Sequence, residues 1–193
     1  MNPDSRVNLE RVSILLLDSS ALGMSILAQI FSGFGARNLY KCWTVAEAKS
    51  LLLENEVDLI VLNDEVAGEP GFEVVRWLRR LPRNTNSFAS TILVSGHIKR
   101  AVVQRTRDCG ANFLVSKPLS PRVMLERVLW VSREKRPFLE TADYAGPDRR
   151  YHVAEGAENL GRRRTDLEQD VANAMTASGM TVTGTTDSRN TGA

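Results

Sequence analysis

The chain of 193 residues is 42% hydrophobic, 25% charged and 6% aromatic, with a formal net charge of +2, a balance that suits a soluble protein able to bury one full core. It contains neither a continuous apolar run of about 18 residues nor a charged segment leading into a short hydrophobic one, so no membrane span or secretion signal is expected and the expected compartment is the cytoplasm. Its two cysteines, Cys42 and Cys109, fit no metal or disulfide framework and are expected as small buried hydrophobes.

Residues 12–17, VSILLL, form a continuous apolar run ending at Asp18, as a strand buried on both faces does. Ser20 is placed as an N-cap, after which Leu22, Ile26, Leu27, Ile30 and Phe31 recur at helical spacing until Gly33 and Gly35. A short strand at 38–43 precedes a helix that opens with the capping box Thr44 and Glu47. The third strand, 58–62, leads through Gly68, Pro70 and Gly71 into FEVVRWLRRL. There Val74, Val75 and Leu78 are expected against the sheet and the arginines in water, with Pro82 closing the helix. Residues 90–95 give a fourth strand, 98–108 an amphipathic helix ended by Gly110, 112–116 a fifth strand, and 121–133 a last helix with Pro121 at its start.

Five strands alternating with five helices predict an α/β fold: a doubly wound five-stranded parallel sheet of the flavodoxin type, with its working groups at the carboxyl ends of the strands. After Pro137 no sustained period is present, and the last stretch is rich in Thr, Ser and Gly. The expected divisions are a flexible N-terminus (1–10), the α/β domain (11–136), an arginine-rich arm (137–170) and a disordered tail (171–193).

Polar groups stand at the strand ends: Asp18 after the first, Asn63 after the third, Ser95 after the fourth, and Lys117 with Pro118 after the fifth. In the order LLLDSS, DLIVLN, ILVSG and FLVSKP, roughly residues 10 to 134 resemble a response-regulator receiver domain of the CheY type. The resemblance implies an acidic pair after the first strand that binds magnesium and an aspartate after the third that accepts phosphate. It also implies a hydroxyl residue after the fourth strand that contacts the phosphate and a lysine that pairs with it.

Carried over residue by residue, Asp18 holds the first acidic place, Ser19 replaces the second, and Asn63 replaces the phosphoacceptor. An amide is not the anionic nucleophile that an acyl phosphate requires, and one remaining carboxylate is a poor cage for magnesium. Leu114, three residues before Lys117, takes the place of the family's switch aromatic. Asp18, Ser19, Asn63, Ser95 and Lys117 are therefore expected to form a degenerate phosphoacceptor site without metal, in which Ser95 and Lys117 hydrogen-bond Asn63 and Asp18. Asp64 is expected to point away from Asn63, because side chains alternate along a strand.

Residues 137–170 hold five arginines against eight carboxylates, which argues against a tail that binds phosphate non-specifically. The arginines fall into GPDRR (146–150) and GRRRTD (161–166). Arginine chelates O6 and N7 of guanine, stacks on bases and pairs with phosphate, while a carboxylate accepts from the other guanine edge. Arg163 and Asp166 can thus clasp one guanine if a turn brings them together, with Asp148 and Arg149 as a second clamp. The expected binding residues are Asp148, Arg149, Arg150, Arg162, Arg163, Arg164 and Asp166. Cyclic di-GMP, two guanines on a compact dianionic core, is the expected ligand.

The RxxD element is similar to the one in cyclic di-GMP inhibitory sites, and a receiver with an arginine-rich arm resembles the CheY-like cyclic di-GMP effectors (the Cle group). That resemblance implies a non-enzymatic adaptor that docks on the flagellar motor switch through its fourth helix, fifth strand and fifth helix. The fourth helix offers Lys99, Arg100, Arg105 and Arg107 to an acidic partner. Two other readings stay open: a regulator controlled by phosphorylation or by a protein partner without nucleotide, against whose phosphorylation at Asp64 Asn63 argues, and a nucleic-acid-binding arm, opposed by the arm's net negative charge. His97 and His152 lie far apart and have no ligand spacing.

Overall fold

The computed structural model describes residues 9–133 and 136–149. In chain order the elements are β1 (Ser13–Leu17), α1 (Ala21–Gly33), β2 (Asn38–Cys42), α2 (Val45–Glu54), β3 (Leu59–Asn63), β4 (Glu65–Val66), β5 (Glu69–Pro70) and α3 (Gly71–Arg79). A 3-10 turn (Thr85–Phe88) follows, then β6 (Ser90–Ser95), α4 (Arg100–Asp108), β7 (Phe113–Ser116), α5 (Pro121–Ser132), β8 (Phe138–Glu140) and β9 (Ala145–Pro147). The main sheet is parallel throughout, in the order β2-β1-β3-β6-β7. The doubly wound five-stranded sheet is the fold that the sequence predicts.

The central strands are apolar along their middles because helices cover both faces. Ile14, Leu16, Val61, Ile92 and Val94 pack with Met24, Leu27 and Phe31 of α1 and Met124 and Val128 of α5. On the other face, Leu15, Leu17, Ile60, Leu62 and Leu93 pack with Ala48 and Leu52 of α2 and Val74, Val75 and Leu78 of α3. Local chemistry agrees with this packing. The Ser20, Thr44 and Ser120 hydroxyls accept from Gly23, Glu47 and Val123 N–H groups, and Glu47 reaches back to the Trp43 N–H. Both cysteines are buried, which pushes each thiol up to about 11.

Some expectations are corrected. The inner face of α1 is Met24, Leu27, Ile30 and Phe31, whereas Leu22 and Ile26 are exposed. Arg79 of α3 does not face water: it is 3% exposed. Its guanidinium donates to the carbonyls of Gly110, Ser87 and Ala89, to Thr91 Oγ1 and to Asn112 Oδ1, over 2.6–3.0 Å. Desolvation lowers its pKa to about 10, so it remains a cation at neutral pH.

Nor does regular structure stop at Pro137. β8 and β9 form an antiparallel hairpin pairing Phe138 with Pro147 and Glu140 with Ala145. Phe138 lies with its ring centroid 5.8 Å from the Arg79 guanidinium, and buried Tyr144 donates its hydroxyl to the Pro147 carbonyl at 2.6 Å. Gly110 (φ +85°) and Gly146 (φ +152°) meet backbone to backbone. A Cβ on Gly146 would stand 2.6 Å from the Gly110 Cα, so only glycine lets the hairpin close onto the loop before β7. The domain therefore extends past residue 136.

Arg79→Met is expected to lower the unfolding free energy by about 3 kcal/mol in urea titration, because it strands several buried acceptors at once. A loss below about 1 kcal/mol would show that water replaces the guanidinium without penalty.

Candidate functional site

The carboxyl ends of β1, β3, β6 and β7 bring Asp18, Asn63, Ser95 and Lys117 to one edge of the sheet. Asp18 is 1% exposed. Its Oδ1 accepts from the Ser20 N–H at 2.8 Å, and its Oδ2 meets Lys117 Nζ at 3.4 Å. Space for this carboxylate is made by Gly23, since a Cβ there would lie 2.2 Å from Asp18 Oδ2. The Ser19 hydroxyl turns instead to the loop after β3, accepting from the Ala67 N–H at 3.0 Å.

Asn63 closes β3, and its Oδ1 is buried with no hydrogen-bond partner among the described residues. The expected Ser95–Asn63 bond is not made. Ser95, fully buried, donates its hydroxyl to Asp64 Oδ2 at 2.6 Å, and its Oγ accepts from the His97 N–H at 3.2 Å. Register supplies the reason. β3 and β6 pair Asn63 with Val94, which brings Asp64 level with Ser95, and residues at one level of neighbouring strands project to one face. Asp64 does point away from Asn63, but it points toward the serine. Its backbone is fixed as well, with its N–H on the Val94 carbonyl and its carbonyl on the Gly71 N–H, both at 2.8 Å.

As a magnesium site this donor set does not fit. It offers one carboxylate, already shared between a backbone N–H and an ammonium, and one amide oxygen, where a divalent ion seeks several hard anionic oxygens. Among the described residues no group of three or more His, Cys, Asp or Glu side chains is placed to hold a metal.

Of the expected nucleotide-binding residues, Asp148 and Arg149 are described. The Asp148 N–H donates to the Pro137 carbonyl at 2.8 Å, and the Arg149 guanidinium lies 4.0 Å from the Tyr144 ring centroid and pairs with Asp108 at the end of α4. Both belong to the folded domain's edge. Arg150, Arg162, Arg163, Arg164 and Asp166, with Tyr151 and His152, lie outside the described residues.

A parallel sheet in this order, carrying an acidic group, a hydroxyl and a lysine at its carboxyl edge, defines the class of signal receiver modules. The profile of the response regulator receiver domain family matches residues 14–129, more than half of the chain, and the chain belongs to that family, the receiver modules of two-component signalling. The transcriptional regulatory protein YvrH of Bacillus subtilis (strain 168) is 26% identical over 120 residues, 62% of this chain and 48% of that protein. The chain thus spans about half the length of that relative.

Solved structures share the fold. A CheY-like receiver domain protein from Methanospirillum hungatei JF-1 is 19% identical, with TM-score 0.56 over 62% of this chain and 91% of its own. The receiver domain of a histidine kinase from Syntrophus aciditrophicus is 22% identical, with TM-score 0.57 over 68% and 98%. Chemotaxis protein CheY4 of Vibrio cholerae is 18% identical, with TM-score 0.57 over 62% and 98%. The β8–β9 hairpin lies beyond the residues that the family profile matches.

Sequence reasoning missed the Ser95–Asp64 bond, although counting β3 and β6 from a shared starting level, Leu59 with Ser90, leads to it. Ser95→Ala is expected to cost about 2 kcal/mol of stability, since a bond to a carboxylate is lost, and to speed amide exchange at His97, while Ser95→Thr preserves both. Unchanged exchange at His97 in Ser95→Ala would show that the hydroxyl does not hold this loop.

Proposed function

We propose that this receiver domain works without phosphorylation, as a non-enzymatic adaptor whose C-terminal arginine clusters bind cyclic di-GMP and couple that nucleotide to docking on a protein target. The observation that carries the first part is the amide of Asn63 at the end of β3, beside a single buried carboxylate whose charge Lys117 already balances. Acyl phosphate formation needs a carboxylate there. Incubation with acetyl phosphate and magnesium is expected to leave the intact mass unchanged, and an adduct of one phosphoryl group would overturn the reading.

The second part rests on the sequence GRRRTD, where Arg163 supplies a bidentate donor and Asp166, three residues on, an acceptor for the two edges of a guanine once a turn brings them together. Arg149 has a different task in this reading, since Asp108 and Tyr144 hold it against the domain. Calorimetric titration of cyclic di-GMP into the full chain is expected to show saturable binding. Arg163→Ala or Asp166→Ala should weaken it by roughly tenfold or more, and Arg149→Ala by less. Equal affinities across the set would remove the arginine clusters from the site.

The docking face is assigned to α4, β7 and α5, and the resemblance to CheY-like effectors points to the flagellar motor switch as the target and to recruitment there. Its chemistry supports an acidic partner. Ile98, Val103 and Trp130 are exposed there, Arg107 lines the same surface, and Arg127 and Arg136 lie over Phe113 and Trp130. Arg105 is turned toward Phe72 of α3, at 5.5 Å from its ring, which sets it apart from that face. Among the described residues no helix is long and apolar enough to cross a membrane.

One observation favours a second reading, control by phosphorylation at Asp64: its carboxylate is hydrogen-bonded to the strand-end hydroxyl of Ser95. The acetyl phosphate experiment, repeated with Asp64→Asn, separates the two.

A further inference from the structure

At the end of the sheet opposite Asp18 and Asp64, the segment entering β6 and the strand β8 enclose a recess of about 380 Å³, lined by Arg80, Arg83, Phe88, Phe138 and Glu140 among others. Its size falls within the range of small-molecule sites. Phe88 is 67% exposed, unusual for a large aromatic, and is backed by Phe138 at 4.7 Å between ring centroids. Phe138 is in turn set against the buried Arg79 guanidinium, so the exposed ring rests on a fixed support.

Two of the charges beside this ring are uncommitted. Among the described residues, the side chains of Arg83 and Glu140 have no hydrogen-bond or ion-pair partner. Arg83 also takes φ +56°, a left-handed conformation that costs a non-glycine residue free energy and that folded proteins retain most often at functional positions. Arg80 spends one donor on the Ala142 carbonyl, at 3.1 Å, and the fork of a guanidinium leaves others to spare.

We propose that this recess binds a guanine nucleotide. The base stacks on Phe88, as planar bases do on exposed aromatic rings. The Glu140 carboxylate accepts from the adjacent N1 and N2 protons of guanine, an edge that adenine cannot match because its N1 is an acceptor and would face the carboxylate lone pairs. Arg80 and Arg83 hold the phosphate through charge-assisted hydrogen bonds. This proposal uses no residue of the GRRRTD cluster and does not depend on the cyclic di-GMP reading.

The test is calorimetric titration of GMP, AMP and UMP into the full chain and into Phe88→Ala, Glu140→Gln, Arg83→Ala and Arg163→Ala. Phe88, Arg83 and Glu140 are all exposed, so these changes leave the core intact. GMP is expected to bind roughly tenfold more tightly than AMP, and Phe88→Ala to weaken GMP by roughly tenfold. Glu140→Gln should erase the preference for GMP over AMP, and Arg83→Ala should weaken both purine nucleotides alike. Arg163→Ala is expected to leave GMP binding unchanged, so failure here and failure of the cyclic di-GMP site are told apart. No saturable GMP binding at millimolar concentration, or binding indifferent to Phe88→Ala, would overturn the proposal.

Discussion

The Arg79 guanidinium is a buried cation that forms no ion pair with a carboxylate among the described residues; neutral oxygens from three separate segments surround it. Such a charge is costly to bury unless its donors are filled, and here the filling is what joins the segments. Ser87 and Ala89 bring the turn before β6 to it, Thr91 brings β6 itself, and Gly110 and Asn112 bring the loop between α4 and β7. Phe138 then covers the group from the hairpin side. The β8–β9 hairpin, a separate two-stranded sheet, is thereby packed against the receiver domain, and the Phe88–Phe138 pair rests on the same buried cation.

At the other end of the sheet the governing constraint is charge balance. A carboxylate at position 63 would stand with Asp18 opposite a single lysine, and the excess negative charge would call for a divalent ion. With an amide there, Lys117 and Asp18 compensate each other within the protein. The nearby carboxylate that does exist, Asp64, is on the other side of the strand, where the Ser95 hydroxyl satisfies it. Lys117 thus settles the Asp18 charge within the protein and the Ser95 hydroxyl takes one Asp64 oxygen, while Asn63 Oδ1 is left without a partner among the described residues.

Period and capping made the five-stranded sheet legible in the sequence. VSILLL has no polar position to place in water, so it reads as a central strand, and Thr44 with Glu47 fixes the start of α2 before any packing is known. Arg79 was legible in one sense and hidden in another. It lies four residues after Val75 and one after Leu78, on the buried stripe of α3, but its charge argued for water, and only the five acceptors decide otherwise. The hairpin strands are three residues each, too short to show a period. The Ser95–Asp64 bond depends on register between two strands, which is tertiary information. Of the expected strand-end pairings, Lys117 with Asp18 is present, while Ser95 bonds Asp64 instead of Asn63.

α4 buries only one side chain, Thr106, and has no side-chain cap at its N-terminus, so packing restrains it less than the other helices that flank the sheet. Polar contacts near its two ends make up the difference. Before its N-terminus, Asp64 holds Ser95 and Ser95 holds the His97 N–H; at its C-terminus, Arg149 pairs with Asp108 while lying on Tyr144. The second contact comes from beyond the family-matched residues, and as an exposed pair it is worth about 1 kcal/mol. A term of that size shifts a two-state equilibrium by about fivefold. Any ligand or partner that competes for Arg149 therefore acts directly on α4.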